Sequence, residues 1–363
     1  MSLSLTSHDR VLVVAPHPDD ESLATGGLIL RALRMGATVR VVFATNGDNN
    51  PWPQRWVEKR WRIGGAERER WGCARQQEAL AAVRKLGLSE EAVSFLNFPD
   101  QGMTPRLLGN DPETLERICR ELREAAPTLL VFPSPHDLHP DHNALHVLFK
   151  TALERTGMDA DVRQLHFLVH CRRPDRVPGR MEIPLSEADR LRKREAILCH
   201  ETQMALSRKR FVAYARPTEI YYEPAVPQSA FPGHRVRGAT ITAGALTLEI
   251  TLPARRWEET TLFLALETAS GKAVRWKLSL PLRSDKVRLC DTVTREPLRW
   301  ATVRIRRRRA TVRIPVASLR PLVRVYVKLH RRTLFLDDAG WREVPLPEQT
   351  GASRAWVLAG TTL

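Results

Sequence analysis

The chain lacks most of what would anchor it in a membrane or staple it covalently. No run of about 18 apolar residues occurs in its 363 positions, so an integral membrane protein is not expected. Its opening residues, MSLSLTSHDR, lack the basic start and apolar core of a secretory leader, which leads to the expectation of a cytoplasmic protein. Cysteine is sparse: Cys73, Cys119, Cys171, Cys199 and Cys290 are scattered and never form a C-x-x-C pair. An odd, dispersed set of thiols argues against a disulfide framework and a cysteine-built metal site, and fits a reducing compartment. There are no internal repeats, and low complexity is confined to RIRRRRATVRI. Helix-turn-helix, RNP and zinc-finger patterns are missing as well, which disfavours nucleic acid as a partner.

What is present divides in two. A hydrophobic fraction of 43% can supply a sizeable core, and the length exceeds the usual single-core size. The net charge of +16 is lopsided: residues 225–363 carry 25 Lys+Arg against 11 Asp+Glu, while the first 224 carry 32 against 30. Such asymmetry implies two units with different duties. The reading is a first domain over residues 1–224, a Pro-rich linker over 225–235 and a basic accessory domain over 236–363.

The first unit alternates strands and helices. VLVVA (11–15) reads as a buried strand, followed by a helix closed by Gly36; TVRVVFAT (38–45), AVSFLNFP (92–99) and TLLVFPS (128–134) read as further strands. Helical periods over 73–87 and 112–126 separate them, another helix opens near Pro140, and 187–204 reads as one more helix. This spacing gives the α/β class: a Rossmann-like, mostly parallel sheet with helices on both faces. Gly26 and Gly27 do not complete a G-x-G-x-x-G fingerprint, so a dinucleotide is not expected. The second unit replaces helical periodicity with six or seven short alternating runs. These predict an all-β, sandwich-like domain or a small barrel of roughly 110 residues.

Chemistry gathers where the first strands end. His17, Asp19, Asp20 and Glu21 follow strand one, Asn46 and Asp48 strand two, and Asp100 strand three; His136, His139 and His142 follow strand four. In parallel sheets that rim holds the ligand. Clustered carboxylates resist desolvation, so a bound cation is the economical partner and a solvated helix start the ordinary alternative. His17 and Asp20 can converge on one ion, and SPHDLHPDHNALH (134–146) offers four of the chain's eleven histidines. A His/Asp/His set with an open position is the pattern of a catalytic zinc centre.

APHPDDE together with HPDH resembles the PIG-L/LmbE family of zinc-dependent N-deacetylases, over about residues 10–224. ATNGD (44–48), the R-x-x-E of Arg75 and Glu78, FPDQGM (98–103) and the H-x-x-Q of His200 to Gln203 agree with it. The resemblance implies removal of the acetyl group from an N-acetylglucosamine-containing conjugate, be it a glycan, a glycolipid or a small glycoside. By motif position it implies His17, Asp20 and His142 as ligands of one zinc ion per chain, although other divalent metals suit the same donors. Asp19 would be the general base toward the attacking water and the proton carrier to the leaving amine. His139 would donate to the tetrahedral oxyanion, with Asp141 orienting its ring, and Arg75, Asp100 and Met103 would line the sugar pocket. Ordinary alternatives stand beside the last three: an Arg75–Glu78 helix pair, a loop cap by Asp100 and a core role for Met103. Glu21 is expected to be a helix-start charge rather than a support for His17. Relatives of the mycothiol pathway carry a tyrosine where this chain has Asp137, so the surroundings of His139 and the acceptor subsite are expected to differ.

Two segments lie outside that pattern. The insertion 49–72 holds four tryptophans among basic residues and is expected to be a substrate-facing lid; the alternative is a loop packed on its own domain. In TVRIRRRRATVRI, apolar and cationic residues alternate, giving a hairpin with one basic face suited to an anionic glycan or a lipid-linked sugar. Two rival functions remain: a catalytically silent binding protein on the same fold, and a metal-dependent esterase.

Overall fold

A computed structural model describes residues 3–346 except 206, 226, 228–232, 243, 254–259, 320, 331 and 334. Strand β1 (Arg10–Ala15) shows why an unbroken apolar run was needed. Val11, Val13 and Ala15 enter one hydrophobic core, Leu12 and Val14 the other, so the strand is buried on both faces. It pairs in parallel with β2 (Thr38–Thr45) and with β4 (Leu129–Pro133). Strands β3 (Val93–Phe98) and β5 (Arg163–Phe167) extend the parallel set. Two strands, β6 (Arg180–Pro184) and β7 (Thr218–Tyr222), complete the sheet antiparallel, in the order β3-β2-β1-β4-β5-β7-β6. The order therefore reverses between β1 and β4.

Helices cover both faces. Leu28 and Ile29 of α1 (Asp20–Arg34) and Ala79, Ala82 and Val83 of the third helix in sequence pack on one side. Between these helices lies α2 (Pro51–Glu58), and the third helix, α3, spans Gly65–Lys85. On the other side α4 (Met103–Leu108), α5 (Pro112–Ala125) and α6 (Pro140–Arg155) contribute Leu107, Ile118, Leu122, Leu145 and Phe149. Insertion 49–72 is thus largely helical. The helix expected over 187–204 breaks into α7 (Glu187–Leu198) and α8 (Glu201–Met204), because His200 leaves the helical conformation and turns its ring to Glu21. A short α9 (Arg208–Val212) follows.

The second half forms one antiparallel sheet. Its strands are β8 (Val236–Thr242), β9 (Ala245–Thr251), β10 (Thr261–Thr268), β11 (Ala273–Ser279), β12 (Asp285–Asp291), β13 (Pro297–Arg306), β14 (Arg309–Pro315) and β15 (Leu322–His330). A hairpin, β16 (Arg332–Thr333) with β17 (Leu336–Asp337), precedes β18 (Arg342–Glu343), which joins the edge. The order is β18-β15-β10-β11-β12-β13-β14-β9-β8, and β8 also meets β15, so the sheet curls nearly into a barrel around Leu248, Leu264, Leu289, Val312 and Val325. Of the two expected all-β forms, the barrel is the nearer. Along β13 and β14, Arg304, Arg306 and Arg313 face solvent while Val303, Val312 and Ile314 are buried, as the alternation requires. Residues 226 and 228–232 of the expected linker, and residues 347–363, lie outside the described residues.

The two sheets share a core. Ala265, Tyr326 and Trp341 of the second half pack among the α4–α6 residues. Lys328 donates to Asp337 Oδ2 and, at 2.8 Å, to Asn143 Oδ1, and all three side chains are buried. Asn143 Nδ2 then donates to the carbonyls of Asp137 and His139, so the second sheet fastens the loop after β4. Gly340 sits against that loop; a Cβ there would lie 1.8 Å from the Pro135 carbonyl oxygen. Removing one partner of a buried ion pair costs about 3–5 kcal/mol. Lys328→Met is accordingly expected to lower the calorimetric unfolding midpoint by several degrees, and an unchanged midpoint would refute this fastening.

Candidate metal centre and cleft

The loops after β1 and β4 meet beyond the carboxyl ends of the strands, where the strand order reverses and α/β sheets place ligands. After β1, Pro16–Pro18 lead to Asp19, whose φ of +156° is one that side-chain-bearing residues seldom adopt. Such a conformation costs about 1–3 kcal/mol and persists only when neighbours over-determine it. Here the Asp19 N–H donates to Glu21 Oε2 at 3.0 Å, and its carbonyl accepts from Ser22 and Leu23. After β4, Pro140 starts α6 and places His142 in its first turn, with His139 as the cap.

Three donor atoms converge between these loops. His17 Nδ1 and Asp20 Oδ2 are 3.2 Å apart, His142 Nε2 and Asp20 Oδ2 3.2 Å, and His142 Nε2 and His17 Nδ1 3.2 Å. Ligands at zinc distances of about 2.0–2.1 Å in a tetrahedron would stand about 3.3–3.4 Å apart, so the triangle fits one ion. The outer nitrogens complete the argument. His17 Nε2 faces Asp100 Oδ1 at 3.2 Å and Asp141 Oδ2 at 3.3 Å, while His142 Nδ1 faces Asp137 Oδ2 at 3.3 Å. His17 can thus give its outer N–H to a carboxylate, and a carboxylate lies against the outer nitrogen of His142, an arrangement that leaves the inner nitrogens to face a cation. Burial opposes ionisation of Asp20, but the adjoining imidazoles of His142 and His17 pull its pKa well below the carboxylate range. Burial likewise disfavours a charged His142, yet Asp20 and Asp137 outweigh it and raise that ring to about 10. The site is strongly cation-seeking.

Asp19 sits beside the triangle with a separate partner. Arg75 Nη2 donates to Asp19 Oδ2 at 3.0 Å and to the Pro18 carbonyl at 2.8 Å, and its Nη1 donates to the Gly47 carbonyl at 2.7 Å. Gly47 has a φ of +61°, and a Cβ there would lie 1.8 Å from Arg75 Nη1, so glycine is required. Burial lifts the Asp19 carboxyl to about 6 against the pull of Arg75. Arg75 does not pair with Glu78, which accepts instead from the Thr202 N–H and hydroxyl. His139 Nδ1 accepts from the Asp141 N–H at 3.3 Å, which in a neutral ring leaves Nε2 as the protonated nitrogen. Burial and the nearby rings of His17, His142 and His170 keep His139 well below the usual imidazole pKa. It is therefore a neutral N–H donor beside the triangle.

Three expectations are corrected. Asp141 does not hold the His139 ring with its carboxylate: that group accepts from the Gln101 N–H at 2.6 Å and the Met103 N–H at 3.0 Å, and reaches His17. Met103 is fully buried in the core and absent from the cleft wall, because it opens α4 against α6; only its backbone touches the site. Glu21 is fully buried rather than solvated, since it accepts from Asp19 N–H and from Ser22 Oγ at 2.6 Å and pairs with His200 Nε2 at 2.9 Å. Asp100 lines the cleft and faces His17, and also caps its loop by accepting from the Asn49 N–H at 2.9 Å.

Residues that sequence reasoning passed over also meet here. Asp137 accepts from the N–H groups of His139, Val169 and His170 besides facing His142. It stood within a quoted motif but was read only as a replaced tyrosine. His170, Gln101 and Tyr214 line the cleft, as do Phe335 and Leu336 from the β16–β17 hairpin. The cleft encloses about 350 Å³ and opens onto His17, Asp19, Asp20, Arg75, Asp100 and His139.

The family described as GlcNAc-PI de-N-acetylase, PIG-L, matches residues 12–153. A 1D-myo-inositol 2-acetamido-2-deoxy-alpha-D-glucopyranoside deacetylase from Saccharomonospora viridis is 31% identical over 204 residues, covering 48% of this chain and 73% of that protein. A protein of the same name from Rhodococcus jostii is 30% identical over 171 residues, covering 42% of this chain and 55% of its own length. The chain spans about half the length of most such curated relatives. Among solved structures, a conserved protein of Thermus thermophilus has 25% identity and a TM-score of 0.46, covering 62% of this chain and 99% of that one.

Loss of a carboxylate behind a metal-binding histidine commonly costs 10–100-fold in affinity. Asp137→Asn is expected to weaken zinc binding by about that factor in titrations against a competing chelator. Unchanged affinity would remove Asp137 from the support of His142.

Proposed function

The chain belongs to the PIG-L family, and from that premise we propose that it removes the N-acetyl group from an N-acetylglucosamine-containing conjugate. The observation that carries this reading is the 3.2 Å triangle of His17, Asp20 and His142, opening into a cleft beside a buried carboxylate and a neutral imidazole. These three residues would hold one divalent ion per chain, zinc by its N/O donor set. When bound, such a metal supplies a lowered water pKa and polarisation of the amide carbonyl.

The chain's own residues supply the rest. Asp19, with a pKa near 6, is suited to take a proton from water near neutral pH and return it to the leaving amine. Arg75 keeps that carboxylate aimed into the cleft. His139 Nε2–H is positioned to donate to the oxygen that gains charge as the carbonyl is attacked. Asp141 acts at one remove, joining the 101–103 backbone to His17. Arg75, Asp100 and Gln101 form the wall against which the sugar would lie.

The wider organisation follows the same reading. Residues 1–224 form the catalytic domain and 236–363 the accessory one, supported by the confinement of each large sheet to one side of 223–235. The exposed arginines of β13 and β14 suit an anionic part of the conjugate, a glycan or a lipid-linked sugar. Five free cysteines suit the cytoplasm. A catalytically silent binding protein would have no need of a strained, arginine-held Asp19 beside the triangle. An esterase would use the same groups, and a panel of acetyl-sugars and acetyl esters separates the two.

Metal content and acetate release from N-acetylglucosamine conjugates, measured on one purified sample, test the proposal. About one zinc per chain with released acetate is expected. Asp19→Ala should keep the metal and lose about 10²–10⁴-fold in turnover, whereas His142→Ala should lose both. Absence of metal after zinc is added back would overturn the reading.

A further inference from the structure

The mouth of the cleft carries residues that the chemistry inside does not need. Trp52 and Trp56 stand one turn apart on the outer side of α2, 49% and 67% exposed, and Trp61 just beyond is 77% exposed. Large apolar rings are seldom left so open without a partner. Their exposure is organised: the Arg55 guanidinium lies 5.1 Å from the Trp52 ring and 5.2 Å from the Trp61 ring, and its Nε donates to the Trp61 carbonyl at 2.9 Å. Trp52 belongs to the cleft wall, whereas Trp56 and Trp61 stand outside it. Across the opening, α9 presents three successive exposed cations, Arg208, Lys209 and Arg210, the last of which reaches the cleft. Phe335, 40% exposed, adds an apolar edge from the β16–β17 hairpin.

We infer that this aromatic and basic collar is a peripheral docking surface for an anionic lipid bilayer. Tryptophan settles at the membrane–water boundary, where its ring is buried and its N–H stays wet, and neighbouring cations meet the headgroup charge. A recessed glycan site would enclose its aromatic rings, whereas Trp56 on α2 and Trp61 in the segment after it are exposed and outside the cleft lining. No helix among the described residues is long and apolar enough to cross a membrane. The collar surrounds the cleft of the proposed hydrolase and, on that reading, brings it to conjugates held at a lipid surface. The docking itself does not depend on turnover.

Cosedimentation with phosphatidylcholine vesicles, with and without phosphatidylglycerol, tests the inference independently of catalysis. The full chain is expected to pellet with the anionic vesicles, to be released by salt, and to shift its tryptophan emission to shorter wavelength. Removing Arg208 and Lys209 charge together, as R208Q/K209Q, should weaken binding about 25-fold, taking about 5-fold per cation at the surface. Trp56→Ala with Trp61→Ala should weaken it at least about 10-fold by removing buried apolar area. These positions are exposed, so the thermal midpoint of both variants should match that of the parent. No vesicle binding, or binding to a soluble acidic polysaccharide instead, overturns the inference. So does vesicle binding that both variants retain, which would place the contact on the arginines of β13 and β14.

Discussion

The arrangement rests on holding two imidazoles and a carboxylate at mutual distances of 3.2 Å in a buried place. Such a group is costly to desolvate, and it is maintained by a second ring of carboxylates at its back. Asp100 and Asp141 face the outer nitrogen of His17, and Asp137 faces that of His142. These carboxylates are themselves tied to main-chain N–H groups of Asn49, Gln101, Met103, His139, Val169 and His170. The chain of dependence therefore runs from strand ends through backbone amides to acids, and from acids to rings. Loops after β1, β3, β4 and β5 all contribute, which is why the site belongs to the sheet as a whole.

The second half of the chain enters this dependence at the loop after β4. Buried Lys328 of β15 and Asp337 of the β16–β17 hairpin reach Asn143, the residue after His142, and Asn143 in turn grips the carbonyls that shape the loop carrying His139. The Asp337 N–H also donates to the Leu138 carbonyl at 2.7 Å. A unit that looks like an appendage in composition thus forms part of the wall behind the candidate metal centre. Its curled sheet keeps the arginines of β13 and β14 in water while Tyr326 and Trp341 enter the other unit's core.

Local pattern was enough for the parts of the fold whose side chains repeat. β1, β2 and β4 are buried along most of their length and read as apolar runs, and α5, with its clear amphipathic period, was found to within a residue. The motif residues His17, Asp19, Asp20, His139 and His142 were legible because their strands end at one rim. What the sequence could not display were choices made by distant partners. Glu21 looks like any acidic helix start until His200, far along the chain, is found against it, and that same pairing breaks the helix expected through 187–204. Asp141 has a histidine two positions away, but backbone donors from 101 and 103 claim its carboxylate. β5 and β6 are short and partly polar, so His170 beyond β5 went unnoticed.

Neighbouring aspartates with opposite surroundings explain how one short motif could both bind and catalyse. Asp20 begins α1 in ordinary helical conformation, accepts from the His17 N–H at 2.9 Å, and is fixed in the triangle as a permanent anion. Asp19, one peptide earlier, is held at a φ of +156°, and its side chain pairs with Arg75. The two carboxylates therefore have different partners, Arg75 for Asp19 and the imidazoles of His17 and His142 for Asp20. On the proposed reading, one would serve as a ligand, and the other, with a pKa near 6, would take and return a proton. Glycine at 47 is part of this arrangement, since only a residue without a Cβ leaves room for the Arg75 guanidinium. On the proposed reading, the division of labour in the acidic cluster follows the partner each carboxylate meets, with space at Gly47 admitting the guanidinium that pairs with Asp19.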